Sequence, residues 1–109
     1  SDPSDYSKLF DLPSTEVSLA ILKKTGNKYS VEVSNNGSAV AFFIRLKIFR
    51  TSDNVVVSPV MPDDNYFTML PGEKRLIVID VSLVPEADRN VPLTLELNGV
   101  NIKTVRSPF

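Results

Sequence analysis

Residues 17–33 have the sequence VSLAILKKTGNKYSVEV, in which two alternating runs of apolar and polar side chains flank a turn. The apolar positions of both runs are spaced two apart, which is the period of a half-buried strand: Val17, Leu19, Ile21, Tyr29, Val31 and Val33. Between the runs, Gly26 and Asn27 accept positive φ at little cost. The stretch therefore predicts an antiparallel β-hairpin whose apolar face lies in a core.

The same pattern continues in the longest apolar run, residues 39–50. Its first half is apolar on both faces, which predicts a strand through the centre of a sheet. Its even-numbered side chains are expected in the core: Val40, Phe42, Ile44, Leu46 and Ile48. Just before this run, Asn35-Asn36-Gly37-Ser38 is typical of a hairpin turn.

The second half of the chain adds further short strands. Residues 55–57 precede Pro59 and Pro62, and because proline cannot donate to a ladder, this segment is expected to be an edge or a crossover. Residues 85–90 predict a polar loop with one helical turn, and residues 102–105 predict a short terminal strand. Two intervening strands are expected to bury one face each: Ile77, Ile79, Val81, Leu93, Leu95 and Leu97. The chain is therefore predicted to be all-β, an antiparallel immunoglobulin-like β-sandwich of about seven strands.

Composition and charge exclude several functional classes. The 109 residues fit one domain, with residues 1–14 as a linker or lead-in and residues 15–109 as the sandwich. The 12 basic and 13 acidic residues form no basic stripe, so neither nucleic acid nor a membrane surface is an expected partner. Cysteine and histidine are absent, which removes disulfides and the commonest metal ligands and general bases, and no cofactor is expected. The chain opens with Ser1-Asp2-Pro3 rather than methionine, so we expect a piece of a longer protein.

Oxygen-bearing side chains are the candidates for metal binding or acid–base catalysis in this chain. Asp63-Asp64-Asn65 could ligate Ca²⁺, but a turn held by side-chain bonds to backbone amides fits the pattern better. A glycosidase needs two carboxyl groups across a sugar, and the candidates are scattered over loops and outward faces: Asp63, Asp64, Glu73, Asp80, Glu86 and Asp88. We therefore predict no catalytic and no metal-binding residue. Asn36-Gly37-Ser38 matches a glycosylation sequon, but a turn is favoured unless a eukaryote secretes the protein.

The aromatic residues favour a protein interface over a sugar platform. The chain has no tryptophan, the residue on which sugar-binding modules commonly stack their ligand. Phe42 and Tyr29 fall on core faces, and four other rings are expected to be partly exposed: Phe43, Phe49, Tyr66 and Phe67. Exposed apolar patches of this kind mark interfaces with other proteins or domains.

Four segments carry a family resemblance. They are Leu12-Pro13, AFFIRL at 41–46, PVMPDDNYF at 59–67 followed by LPGE at 70–73, and LELNGVN at 95–101. Together they resemble the C-terminal immunoglobulin-like domain of glycoside hydrolases of family two, in the beta-mannosidase and exo-beta-glucosaminidase branch. The signature positions are expected to have a structural role: Asp64, Asn65, Tyr66, Phe67, Leu70, Pro71, Gly72 and Glu73.

The resemblance implies a non-catalytic accessory domain of a multidomain exo-glycosidase. The family's catalytic glutamates lie in its central barrel domain, and no position here corresponds to them. The implied partners are the other domains of the same chain; the isolated domain would be a monomer, and the parent periplasmic or secreted. Met61 and Pro62 replace an aromatic pair of the family, and Val100 replaces its usual tryptophan. Mannosides, glucosaminides and galactosides stay open as substrates of the parent, and a free-standing glycan- or protein-binding adhesion module is the alternative function.

The segment from Pro59 to Glu73 is predicted to form a rigid corner. Its prolines reduce the entropy of the unfolded chain, and Tyr66 and Phe67 offer apolar anchors, of which at least one is expected to be buried. The Tyr66 hydroxyl is expected to bond to nearby backbone, as in other sandwiches. In the parent, this corner is a candidate inter-domain contact.

Overall fold

The computed structural model describes residues 11–58, residue 60 and residues 66–109. Within them the chain forms seven β-strands and one short helix: β1 (Val17–Thr25), β2 (Lys28–Asn35), β3 (Ala41–Arg50), β4 (Phe67–Met69), β5 (Lys74–Asp80), α1 (Glu86–Arg89), β6 (Leu93–Asn98) and β7 (Val105–Pro108). One sheet has the strand order β1-β2-β5 and the other β4-β3-β6-β7, with antiparallel pairing throughout. This confirms the predicted immunoglobulin-like sandwich.

The β1–β2 hairpin forms where the alternation predicts it. Thr25 pairs with Lys28 across the two-residue turn, and Gly26 has a φ of 61°, a conformation that glycine reaches without a Cβ penalty. The predicted inner residues of β2 are buried, and those of β1 are buried or half-buried. Period-two patterning therefore predicted the inner faces of both strands, but not the register shift between Ile21 and Lys23, where β1 has one residue more than β2.

The core fills the space between the sheets in two clusters. The first lies toward the hairpin turn and consists of Tyr29, Val31, Ile48, Val57, Ile79, Val81, Val84, Leu93 and Leu95. The second lies where β2 and β6 end and consists of Val17, Val33, Ala41, Ile44, Met69 and Leu97. The predicted inner residues of β5 and β6 all pack in or against these clusters, which confirms their assignment.

Strand β3 runs between β4 and β6, as its two apolar faces predicted. Ile44 and Ile48 are buried as expected, but the core prediction for Phe42 is wrong, because Ala41 is buried in its place. The pairing of β3 with β4 shifts register between Ala41 and Ile44, and Phe43 between them has a φ of 52°. A bulge adds one residue to a strand, so side chains before it change face relative to those after it.

Three boundary predictions had different outcomes. The hairpin turn predicted at residues 35–38 is wrong, because β2 and β3 lie in different sheets and the segment crosses between them. Val56 forms an isolated bridge with Phe49, so this segment lies on the edge of β3 as predicted; Pro59 and Pro62 lie outside the described residues. The terminal strand lies at Val105–Pro108 rather than 102–105.

In the described part of the chain, no helix has the length and apolar character needed to cross a membrane.

Candidate functional site: the signature turn and the adjoining surface

The signature turn, defined as residues Leu70 to Glu73, links β4 in one sheet to β5 in the other. The Glu73 N–H donates to the Leu70 carbonyl at 3.1 Å, and Gly72 has a φ of 79°, as a type II turn with proline in second position requires. The Glu73 carboxylate also accepts the Leu70 N–H at 2.9 Å and pairs with Arg75 at 2.7 Å. The Leu70 amide, and next the Arg75 guanidinium, hold the pKa of Glu73 below its usual range. The predicted tight turn is confirmed.

Asn35, at the end of β2, holds this turn against the sandwich. Its backbone N–H donates to the Glu73 carbonyl and its carbonyl accepts the Gly72 N–H, both at 2.9 Å. Its side-chain Nδ2 donates to the Met69 carbonyl at 3.2 Å. The residue is only 1% exposed. A single buried asparagine therefore joins β2 of one sheet to the β4–β5 connection.

The same side chain also holds the incoming chain and the β2–β3 crossover. Asn35 Oδ1 accepts the Thr15 hydroxyl at 2.7 Å and the Gly37 N–H at 3.2 Å, and Nδ2 donates to the Ala39 carbonyl at 2.8 Å. A Cβ on Gly37 would collide with the Thr15 hydroxyl and come within 2.8 Å of the Glu16 amide nitrogen. Gly37 is therefore needed for close packing of the crossover on the incoming chain rather than for a hairpin turn.

Asn101, after β6, holds the lead-in against the sandwich by hydrogen bonds, as Asn35 holds the signature turn. Its Nδ2 donates to the carbonyls of Pro13 at 2.8 Å and Val40 at 2.7 Å, and its Oδ1 accepts the Phe42 N–H at 2.9 Å. Its carbonyl accepts the Thr15 N–H at 3.0 Å, and the residue is 4% exposed. The chain therefore enters the domain directly beside the first residues of β3. We call this region, where β2 and β6 end and β3 and β5 begin, the entry end.

Neither asparagine stands out in the sequence as a site. Asn35 lies in a run that resembles an ordinary turn, and Asn101 closes the LELNGVN segment without a recognisable partner. The signal that could have identified them is their position next to strands with buried apolar faces, because a polar side chain there must be hydrogen-bonded. In the described residues, every buried side-chain nitrogen and oxygen has such a partner.

An aromatic patch lies on the surface at the entry end and comprises Phe42, Phe43, Arg45 and Tyr66. Phe43 is 50% exposed and Tyr66 is 46% exposed. Their rings meet edge to face with centroids 6.3 Å apart, and Phe42 lies 6.4 Å from Phe43. The Arg45 guanidinium lies 5.4 Å from the Tyr66 ring centre and donates to its hydroxyl at 3.2 Å. The expected partial exposure of Phe43 and Tyr66 is confirmed.

Phe43 occupies an unfavourable backbone conformation. Its φ of 52° lies in the left-handed region, which a bulky residue rarely enters. Such a conformation costs roughly 1–3 kcal/mol, and the half-exposed ring joins neither core cluster. Asparagine or glycine would adopt this conformation more easily. The stability of the domain alone therefore does not explain a phenylalanine at this position.

The rigidity of the corner from Pro59 to Glu73 stays a prediction, whereas the expected burial of Tyr66 or Phe67 is wrong. Phe67 is half-buried against the second core cluster, with the Arg75 guanidinium 4.8 Å from its ring centre, but neither Phe67 nor Tyr66 is fully buried. The Tyr66 hydroxyl accepts a hydrogen bond from the Arg45 side chain, and the expected bond from this hydroxyl to backbone stays a prediction. The signature residues Asp64 and Asn65 lie outside the described residues, as do Met61 and Pro62.

The candidate carboxylates are engaged in local structure. Asp88 pairs with Arg50 at 2.8 Å, and the Asp80 carboxylate accepts the Ser82 N–H at 2.8 Å. The backbone amide of Ser82, and then its hydroxyl, hold the pKa of Asp80 below its usual range. Such lowering is the opposite of what the proton-donating acid of a glycosidase needs. No group of three or more acids is placed to hold a metal ion in the parts of the chain described, while Asp63 and Asp64 lie outside them.

Comparison with known proteins places this architecture in a family. Residues 1–102 match the model of the exo-beta-D-glucosaminidase Ig-fold domain. The chain is 31% identical over 100 residues to an exo-beta-D-glucosaminidase of Arthroderma benhamiae, an alignment that covers 92% of this chain. It spans only 11% of the length of that relative. The chain therefore belongs to the family of exo-beta-D-glucosaminidase Ig-fold domains, which are accessory, non-catalytic domains.

Proposed function

We propose that this domain is part of a multidomain exo-glycosidase that cleaves β-linked glucosaminides, and that its own contribution is structural. The family match over residues 1–102 carries this proposal. The sequence resemblance left three sugar classes open for the parent, and the name of the Arthroderma benhamiae relative favours glucosaminides among them. The chemistry would take place in another domain of the parent, where the catalytic glutamates of the resembled family lie.

The geometry of the entry end supports a structural role for the signature. Backbone bonds between Asn35 and the signature turn extend the β2–β5 ladder, and the Asn35 side chain bonds to the Met69 carbonyl of β4 in the other sheet. We propose that residues 15–109 are the folding unit and residues 1–14 the lead-in, since Thr15 already bridges to Ile102. The partners would be the other domains of the same chain, and the excised domain would be monomeric.

Expression of the full open reading frame tests this function. The complete protein should hydrolyse an aryl β-glucosaminide faster than the matching mannoside and galactoside. Residues 1–109 alone should hydrolyse none of them. A preference for mannoside would refute the substrate assignment. Turnover by residues 1–109 that disappears when one of their own acids is replaced would refute the accessory role.

Sugar binding by the isolated domain tests the alternative function. NMR titration with mannose, galactose and chitosan oligomers should give no saturable shifts, because the chain lacks tryptophan as a stacking platform. Saturable shifts on one face at sub-millimolar sugar would favour the free-standing binding module.

A further inference from the structure

The aromatic patch lies beside the point where the chain enters the domain. One side chain, Asn101, bonds at the same time to the Pro13 carbonyl and to the Phe42 amide. The lead-in is therefore fixed within one residue's reach of the strand that carries Phe43. The chain that leads back to any preceding domain of the parent therefore leaves this domain beside the patch.

Phe43 is a half-exposed aromatic residue held in an unfavourable backbone conformation. Its ring is 50% exposed and its backbone is in the left-handed region. Among the described residues, its ring lies against the rings of Phe42 and the half-exposed Tyr66. Aromatic side chains, phenylalanine among them, are enriched in the buried core of protein interfaces. A bulge that aims such a side chain outward is a recurrent device for positioning a functional residue.

We propose that the aromatic patch docks on the domain that precedes this one in the parent chain, with Phe43 inserted in an apolar recess of that domain. The inference rests on the proposed function, since it requires a parent. The relative shows that such a chain has room for further domains, because the aligned region covers only 11% of its length. The bond from Asn101 to Pro13 supports the preceding domain in particular, because it holds the chain that leads back to that domain beside Phe42, and tethering raises the effective concentration of a linked partner.

A second exposed apolar surface is the competing candidate for the interface with the preceding domain. Leu22, Leu76 and Val78 are exposed on the three-stranded sheet. They lie on its two edge strands, with β2 between them. No residue there has a positive φ, so this surface does not show the unfavourable conformation that distinguishes Phe43.

The experiment uses the full-length parent with a protease site inserted ahead of Leu12. After cleavage, size-exclusion chromatography follows the release of the domain over time. The wild-type domain should stay associated, and Phe43→Asn should release at least about tenfold faster, as expected for loss of an aromatic anchor. Asparagine suits the left-handed conformation, so the fold should persist, which hydrogen exchange in β2 and β6 would verify. The matched control is Leu83→Asn, at a 64% exposed position beyond the opposite end of β5, which should release at the wild-type rate.

Several outcomes would overturn the docking proposal. These are immediate release of the wild-type domain, release of Phe43→Asn at the wild-type rate, or fast release of Leu76→Asn alone. The last result would place the interface on the three-stranded sheet. Hydrolysis of glucosaminide by the uncleaved parent is measured separately, so an active parent with a freely released domain refutes the docking while the proposed function stands. A stably docked domain on a parent without that activity refutes the proposed function alone.

Discussion

Replacing Asn35 with alanine is expected to lower the free energy of unfolding by about 3–5 kcal/mol. The side chain makes four hydrogen bonds: it donates to the carbonyls of Ala39 and Met69 and accepts from the Thr15 hydroxyl and the Gly37 amide. Alanine removes all four and leaves their partners in a region that is almost closed to water, since Asn35 itself is 1% exposed.

The magnitude follows from the partners left behind. A typical hydrogen bond contributes about 1 kcal/mol net, and a buried group that loses its partner costs about 1–3 kcal/mol. Three of the four bonds of Asn35 are shared with part-buried or buried backbone groups, and water that enters the vacated volume can satisfy some of these. The expected loss of about 3–5 kcal/mol is therefore smaller than the full cost of leaving four buried groups without hydrogen bonds. It is still a large share of the roughly 5–15 kcal/mol that keeps a domain folded.

Urea denaturation of the wild type, Asn35→Ala and a neighbouring control gives the measurement. Asn36 is the matched control, because it is exposed and its side chain makes one exposed bond, to the Ser18 hydroxyl at 2.9 Å. Asn36→Ala should stay within about 0.5 kcal/mol of wild type. A loss below about 1 kcal/mol for Asn35→Ala, with an unchanged denaturant slope, or equal losses for the two variants, would refute the reasoning.

An isosteric variant separates hydrogen bonding from packing. Asn35→Asp keeps the shape but directs a carboxylate oxygen at the carbonyls of Ala39 and Met69, which should raise the pKa of that carboxyl in the folded state. A group whose folded pKa is raised stabilises the protein below its unfolded pKa, about 3.9, and that contribution is lost as pH rises through the folded value. The deficit of Asn35→Asp should therefore be larger at pH 7 than at pH 4. A deficit that does not change with pH would contradict this account.

Three further predictions concern the core, the signature turn and the crossover. In chemical denaturation, Ile44→Ala should lower the free energy of unfolding by about 2–5 kcal/mol, whereas Lys47→Ala should change it by no more than about 0.5 kcal/mol. The reverse ranking would contradict the register of β3. The folded pKa of Glu73 is lowered, so its stabilising effect is present above its unfolded pKa of about 4.3 and is lost as pH falls through the folded value. The difference in unfolding free energy between wild type and Glu73→Gln should therefore shrink from pH 7 to pH 2. A difference that stays constant with pH would be inconsistent with this assignment. Gly37→Ala should cost about 1–3 kcal/mol, because its Cβ would collide with the Thr15 hydroxyl, and a thermal melt equal to wild type would exclude that close contact.

Local alternation was enough to predict the strands whose partners are near in sequence or whose inner face is uninterrupted. Val31 and Val33, and likewise Leu95 and Leu97, are buried as their spacing indicates. A period of two leaves only one way to bury an apolar face, so this information is contained in the chain itself. The tight turn ending at Glu73 was equally predictable, because proline and glycine restrict the backbone directly.

Tertiary structure alone decided the details that make the entry end distinctive. No local rule places a bulge at Phe43, and this bulge exchanges Ala41 for Phe42 in the core and turns an aromatic ring outward. The role of Asn101 likewise depends on groups 59 and 88 residues away along the chain, at Phe42 and Pro13. Hydrogen bonds of this range depend on which strands the sandwich brings together, and that choice is made by the packing of two sheets rather than by any single segment.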